Sequence, residues 1–414
     1  MNKVYIVAAC RTPVGRFLGA LKTVSAVELA ALTVRHNLQQ AGIDPAWIDE
    51  VICGCVLAAG QGMGPARQVA LRAGIPVQTP AYTLNMICGS GMKSMTEGAI
   101  HIQSGYADLV VAGGMENMSQ APFLLQGEIR GGMKFGAFSS EDVIQRDGLT
   151  DPLLQIPMGE TAEAIAAQEQ ISRAAQDQYA LESHQKASAA SRAGYFADEI
   201  VPVTVSAKRG VSTVREDEPI RHDLSAGQLA ALKPAFRADG SVTAGNASGL
   251  NDGAASVILA SARAVARYGL QPLAEIVSFG EGGVDPSLMG LGPLPAIACA
   301  LRRGGFQLSD MARLEINEAF AAQVLGVVRG LAREHQMTEE EIASRLNVHG
   351  GAIALGHPLG SSGTRIVVSL VHALRRENQP TGLASLCIGG GMGIALLVKT
   401  IRGDKRHGKI NCGG

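Results

Sequence analysis

The chain has 414 residues, enough for two or three domains with sizeable cores. Its 36 Lys and Arg against 37 Asp and Glu give a net charge of -1, without the basic footprint of a general nucleic-acid binder. Glycine is abundant at 51 residues, but a 46% apolar content and the lack of a Gly-X-Y period exclude disorder and collagen, so the glycines serve turns or close backbone approach to a ligand.

The opening run VYIVAA (4–9) reads as a strand too short for a signal-peptide core, and no stretch of eighteen apolar residues occurs. The expectation is a soluble, cytoplasmic protein with no membrane partner. Ser25 and Glu28 form a capping box that starts a helix, and Gly42 ends it. A strand at 50–56, a helix near 65–73, a strand at 81–87, a helix from Ser90 to Ser104 stopped by Gly105, and a strand at 108–114 follow. This alternation predicts an α/β fold around a mainly parallel sheet.

Residues 121–249 break the pattern with loop-rich, charged sequence and one helical stretch near 160–193, as an insertion does. A strand at 254–261 returns to the first unit. The opening order then recurs: strand 273–279, helix 295–303, strand 312–317, a helix opened by GHPLGSSG (356–363), and LASLCIGGGM (383–392) echoing LVVAGGM (109–115). Ile6 and Ile276, Ile52 and Ile316, Gly91 and Gly363, and Gly114 and Gly391 are separated by nearly constant spacings. Two copies of one domain explain this: 1–120 plus 250–272, and 273–400. Residues 121–249 form the inserted loop domain, and 401–414 read as a mobile tail.

Seven cysteines (10, 53, 55, 88, 299, 387 and 412) contain no C-x-x-C pair, and neither a disulfide framework nor a metal site is expected. Cys53 and Cys55 fall on one face of a strand, as core thiols. Cys88 lies where a strand gives way to a helix, followed by Gly89-Ser90-Gly91. A helix N-terminus lowers a thiol's pKa toward a nucleophilic thiolate, and the glycines leave room for substrate; a structural free cysteine is the competing reading. His357, in Gly-His-Pro-Leu-Gly, occupies the matching corner of the second copy, either as a partner for Cys88 across a shared crevice or as a turn histidine. Cys387 precedes three glycines; a thiol there can move protons and the N–H groups after it can hold an oxyanion, or it is a core residue beside a turn. Asn317 and Glu318 end another strand, as active-site polar groups or as a helix cap. GGGMG runs into a strand-like segment, so it is not a dinucleotide loop, and no P-loop motif occurs.

Together these segments resemble the thiolases, of the acetyl-CoA acetyltransferase type, from Met1 to about Thr400. The carriers are NMICGSGMKS (85–94), NEAFAAQ (317–323), GGAIALGHPLGSSG (350–363) and CIGGGMG (387–393), with TAGNASGLNDGAA (243–255) and VDPSLMGLGP (284–293) also similar. The resemblance implies duplicated βαβαβαββ domains in a five-layered α-β-α-β-α core. It implies that Cys88 is the acyl-accepting nucleophile, that His357 activates it, and that Cys387 is the acid/base for departing CoA and for the α-proton of a second acetyl-CoA. Asn317 would position a water that, with His357, polarises the thioester oxygen; the N–H groups of Cys88 and Gly389 would form a second oxyanion hole. In the insertion, Arg221 would lie near the nucleotide of CoA and Ser248 near its pantetheine arm. Met158, Phe236, Ala244, Met289 and Ala319 would line the channel. No resident cofactor is implied, CoA thioesters being substrates, and a homotetramer built from tight dimers is the expected assembly.

The implied reaction is the ping-pong, reversible condensation of two acetyl-CoA molecules. A 3-ketoacyl-CoA thiolase of broader chain length is the alternative among enzymes, and a non-catalytic acyl-CoA or lipid carrier the alternative in another class. A ketosynthase-like enzyme would place a second histidine where Cys387 stands. Three departures from the pattern stand out: Pro157 where short-chain members usually carry histidine, His349 where asparagine is more usual, and extra residues around 333–344 that lengthen a surface helix.

Overall fold

A computed structural model describes residues 2–207 and 210–401. The tail expected over 401–414, with Cys412, lies outside them apart from Ile401. The first copy runs β1 (Val4–Arg11), α1 (Ala26–Ala41), β2 (Glu50–Gly54), α2 (Pro65–Arg72), β3 (Ala81–Leu84), α3 (Ser90–Ser104) and β4 (Leu109–Asn117). Local signals act as expected. Ser25 accepts from Glu28 N while Glu28 reaches back to Ser25 N, and Gly42 and Gly105 close α1 and α3 in the left-handed conformation.

In the insertion the helical stretch is two helices, α4 (Met158–Gln168) and α5 (Arg173–Arg192), separated where Gln170 adopts φ 52. A hairpin, β5 (Val203–Ala207) and β6 (Gly210–Val214), follows. The chain returns through β7 (Asn251–Ser261), which lies between β1 and β4. The second copy runs β8 (Ala274–Gly283), α6 (Pro293–Gly304), β9 (Arg313–Ile316), α7 (Ala321–His335), α8 (Glu339–Ala343), α9 (Leu359–Arg376), β10 (Thr381–Ile388) and β11 (Met392–Thr400). Its counterpart of β3 shrinks to one bridge between Leu314 and Leu346. The extra residues make a second short helix, not a longer first one: Gln336 at φ 53 ends α7, and a Thr338–Glu341 capping box starts α8.

The sheet is mixed, correcting the mainly parallel expectation. Among the described strands of the sheet only β2–β3, β2–β4 and β9–β10 pair in parallel, because the last strand of each copy inserts antiparallel beside its first. The two half-sheets join edge to edge where Val4, Tyr5 and Ile6 pair antiparallel with Ile276, Glu275 and Ala274, giving the order β9-β10-β11-β8-β1-β7-β4-β2-β3. Strand alternation builds the layers. Leu109 and Val111 of β4 pack with α1 and α2, Val110 and Ala112 pack with the central helices α3 and α9, and a third cluster covers the outer face of the second half with α6 and α7. The result is the α-β-α-β-α stack.

The two central helices meet backbone to backbone at their starts. A Cβ on Gly91 would stand 2.8 Å from Gly360 O, and one on Gly363 would stand 2.4 Å from Met92 N. Gly91 therefore makes room for α9, not for substrate as the sequence suggested. This contact brings the Cys88 and His357 corners to one crevice.

Candidate active site

Cys88 sits on a strained elbow. Ile87 has φ 46, a left-handed conformation that costs a β-branched residue about 1–3 kcal/mol. The elbow is stapled locally: Asn85 Oδ1 accepts from Ile87 N at 2.9 Å, Ser90 Oγ accepts from Met86 N at 2.8 Å, and Ser90 donates to Ile87 O at 2.7 Å. The half-buried thiol faces a cavity of about 400 Å³ whose walls include Met118, Leu149, Leu250 and Leu359. Burial pushes its pKa up to about 12, while N–H groups of Gly389 and of Cys88 itself pull the other way. The thiol at rest is thus protonated. The expected lowering at the helix start is overturned because desolvation of the thiolate outweighs the donors.

His357 is held from several sides. Its N–H donates to Asn251 Oδ1 at 2.8 Å, and Nδ1 lies 2.6 Å from Ser362 Oγ. Ser362 gives its single proton to Pro358 O at 2.9 Å, so it accepts from Nδ1–H, and Nε2 is the ring's free acceptor. Burial and the positive charge of Arg365 lower the ring's pKa to about 3, which makes it a neutral base. Asn317 Nδ2 is 3.5 Å from both ring nitrogens, and Asn317 Oδ1, buried, has no hydrogen-bond partner among the described residues. That orphaned acceptor suits a bound water.

Cys387, 1% exposed at the end of β10, packs with Met158, Met289 and Ala319. Burial, and then the nearby Cys88, raise its pKa strongly. Two thiolates in so apolar a pocket repel, so the site ionises one at a time. Gly389 follows in the turn and also lines the cavity.

The same cavity is lined by Ser248, Phe236, Ala244, Met158, Met289 and Ala319, as expected. Ser248 donates its N–H, at 2.9 Å, and its hydroxyl, at 3.1 Å, to Ala319 O, tying the TAGNASG and NEAF loops together. Two expected site residues are not in the lining. Asn317 stands behind His357, and Arg221 is exposed on the insertion, its N–H donating to His184 Nδ1 at 3.1 Å. Glu318 is an anchor: its carboxylate accepts from Tyr179 OH, Ser183 Oγ, Asn347 Nδ2 and Ile353 N, binding the Asn317 loop to α5. His349 lies away from the cavity, edge-on to Tyr195 and 3.7 Å from Glu377.

Sequence reasoning missed Ser362, Asn251 and Glu116. Ser362 was visible within GHPLGSSG as a helix-opening serine, whereas Asn251 and Glu116 act across long sequence separations. Glu116, buried and pushed up to about 7, accepts from Val56 N, Leu57 N and Gly360 N and so fixes the start of α9.

The chain is similar to known proteins along nearly all of its length. Residues 4–263 match the family model "Thiolase, N-terminal domain" and residues 270–400 match "Thiolase, C-terminal domain". The acetyl-CoA acetyltransferase of Rhizobium meliloti is 46% identical over 398 residues, covering 96% of this chain and 99% of that one. The human mitochondrial 3-ketoacyl-CoA thiolase superposes with a TM-score of 0.92 at 45% identity, covering 97% of this chain and 99% of that chain. An acetyl-CoA acetyltransferase of Bacillus anthracis gives the same TM-score, identity and coverage. With matched models spanning nearly all of its length, the chain belongs to the thiolase family.

Proposed function

We propose that the protein is an acetyl-CoA C-acetyltransferase, condensing two acetyl-CoA molecules to acetoacetyl-CoA and CoA through an acetyl-Cys88 intermediate. The observation that carries this reading is the convergence of Cys88, His357, Cys387 and Gly389 on one apolar cavity, with both thiols protonated and the imidazole neutral at rest. A neutral base beside a protonated thiol can generate the thiolate when the thioester arrives.

The protons balance over two half-reactions. His357 Nε2 takes the Cys88 proton, the thiolate attacks the thioester carbonyl, and the N–H groups of Cys88 and Gly389 hold the oxyanion. Collapse breaks the C–S bond to CoA, which leaves with the Cys387 proton. Cys387 thiolate then removes an α-proton from the second acetyl-CoA, whose enolate oxygen is held by the His357 imidazolium and a water on Asn317. The enolate carbon bonds to the acetyl carbon, Cys88 departs as thiolate, and His357 returns its proton. The apolar walls raise the value of each donor at the moment charge develops.

In this scheme Ser248, Phe236, Ala244, Met158, Met289 and Ala319 guide the pantetheine arm, and exposed Arg221 meets the nucleotide end. CoA thioesters are the substrates, and no resident cofactor takes part. The reading extends to a cytoplasmic homotetramer. The assembly is supported by the partly exposed edge strand β3 and by exposed Phe123, Phe135 and Phe138. Light scattering reads the assembly.

The substrate assignment is tested by thiolysis. Acetoacetyl-CoA is expected to match or exceed longer 3-ketoacyl-CoAs in kcat/KM, and a large preference for long chains contradicts it. Cys387→Ala is expected to slow α-proton exchange of acetyl-CoA far more than acyl transfer from Cys88 to CoA; equal slowing removes Cys387 from its assigned role.

A further inference from the structure

Arg365 is 1% exposed inside α9, and none of its three guanidinium nitrogens has a hydrogen-bond partner among the described residues. Its ion-pair partner is Glu315, with Nη1 and Oε2 4.0 Å apart and both side chains buried. The interior can satisfy a guanidinium elsewhere: Arg11 is bonded to Asp217 at 2.7 and 2.9 Å and to Glu199 at 2.7 Å. Arg365 has no such set. A loose buried pair is weak support for a fold, since apolar side chains of similar volume often serve stability equally well or better. Stability alone therefore does not account for it.

Its place in the fold does. Arg365 is three residues beyond Ser362 on α9, so the two share a helix face, and Ser362 holds His357 Nδ1. Glu315 is two residues before Asn317 on the extension of β9, so these two share a strand face. Asn317 in turn contacts the His357 ring. The chain His357, Ser362, Arg365, Glu315, Asn317 closes on itself, linking the helix that carries the base to the strand that carries the amide. We propose that Arg365 and Glu315 are a positioning pair that sets the spacing of His357 and Asn317, and with it the oxyanion site for the second acetyl-CoA. This rests on the acetyltransferase reading above.

The test separates the two half-reactions. The double variant R365M/E315M removes both charges and leaves neither buried alone. Asn251 and Ser362 still hold His357 in that variant, so the displacement falls on Asn317: acetylation of Cys88 by acetyl-CoA, read by mass spectrometry in single turnover, is expected to stay within about 3-fold of wild type, while α-proton exchange from acetyl-CoA falls about 30-fold, the scale of a sub-ångström to ångström misplacement. R365K, which keeps the charge but not the planar fork, is expected to shift the same ratio less. Equal slowing of both steps, or no slowing of exchange, overturns the pair's role, since a merely structural defect moves both together. If the double variant does not fold, R365K decides, and an unchanged ratio there overturns the proposal. Failure of wild type to acetylate Cys88 is a different result: it strikes the acetyltransferase reading itself.

Discussion

The two corners that open the central helices descend from one repeated unit but are built for opposite tasks. At the first, Cys88 is half-buried, follows a strained Ile87, and has local staples that hold the backbone and leave the thiol free. At the second, His357 is 5% exposed and clamped at its N–H and at Nδ1. A nucleophile must move into a bond, whereas a base must present one lone pair in one direction. The same strand-to-helix geometry serves both because the difference lies in what each side chain touches.

Breaking the first corner has the largest expected effect. Cys88→Ser is expected to lower thiolysis of acetoacetyl-CoA by about 10³-fold or more in a steady-state assay, because an alkoxide is far harder to form than a thiolate in an apolar cavity. At the second corner, Ser362→Ala frees Nδ1 and admits the wrong tautomer, so kcat is expected to fall about 10- to 100-fold with KM within about 3-fold. A KM effect without a kcat effect separates Ser362 from the base. Between the corners, Gly91→Ala forces a methyl toward Gly360 O and Thr364, and a loss of about 1–3 kcal/mol in denaturant unfolding is expected.

The smallest effect reads the clamp through pH. An unfolded histidine takes up a proton near pH 6.5, whereas folded His357 resists until about 3. Between those values the unfolded chain binds the extra proton, so this group's contribution favours folding above the window and is lost as pH falls through it. His357→Asn is therefore expected to lose less Tm between pH 7 and pH 5 than wild type does; an equal loss places the acid sensitivity elsewhere.

Much of this was legible before folding was considered. Ser25 with Glu28, and Gly42 and Gly105, act through neighbours a few residues away, so their signals survive in the linear sequence. The repeat located both corners, and the motif residues located the cavity walls. What stayed hidden depends on contacts between distant segments. Gly91 reads as room for substrate until α9 is seen against it, and Asn251 carries no signal of its own until it is found holding His357 N. The direction of the Cys88 shift is hidden in the sequence for the same reason. A helix start is visible in sequence, whereas the apolar walls that oppose it are gathered from distant segments, Met118, Leu149, Leu250 and Leu359.

The central claim is that Cys88 carries the acyl group. Incubation with acetyl-CoA followed by peptide mass spectrometry is expected to find one acetyl group, about 42 Da by the formula C2H2O, on the peptide that contains Cys88, and none there in Cys88→Ser. No adduct on that peptide in wild type, or an undiminished one in the variant, would contradict the account.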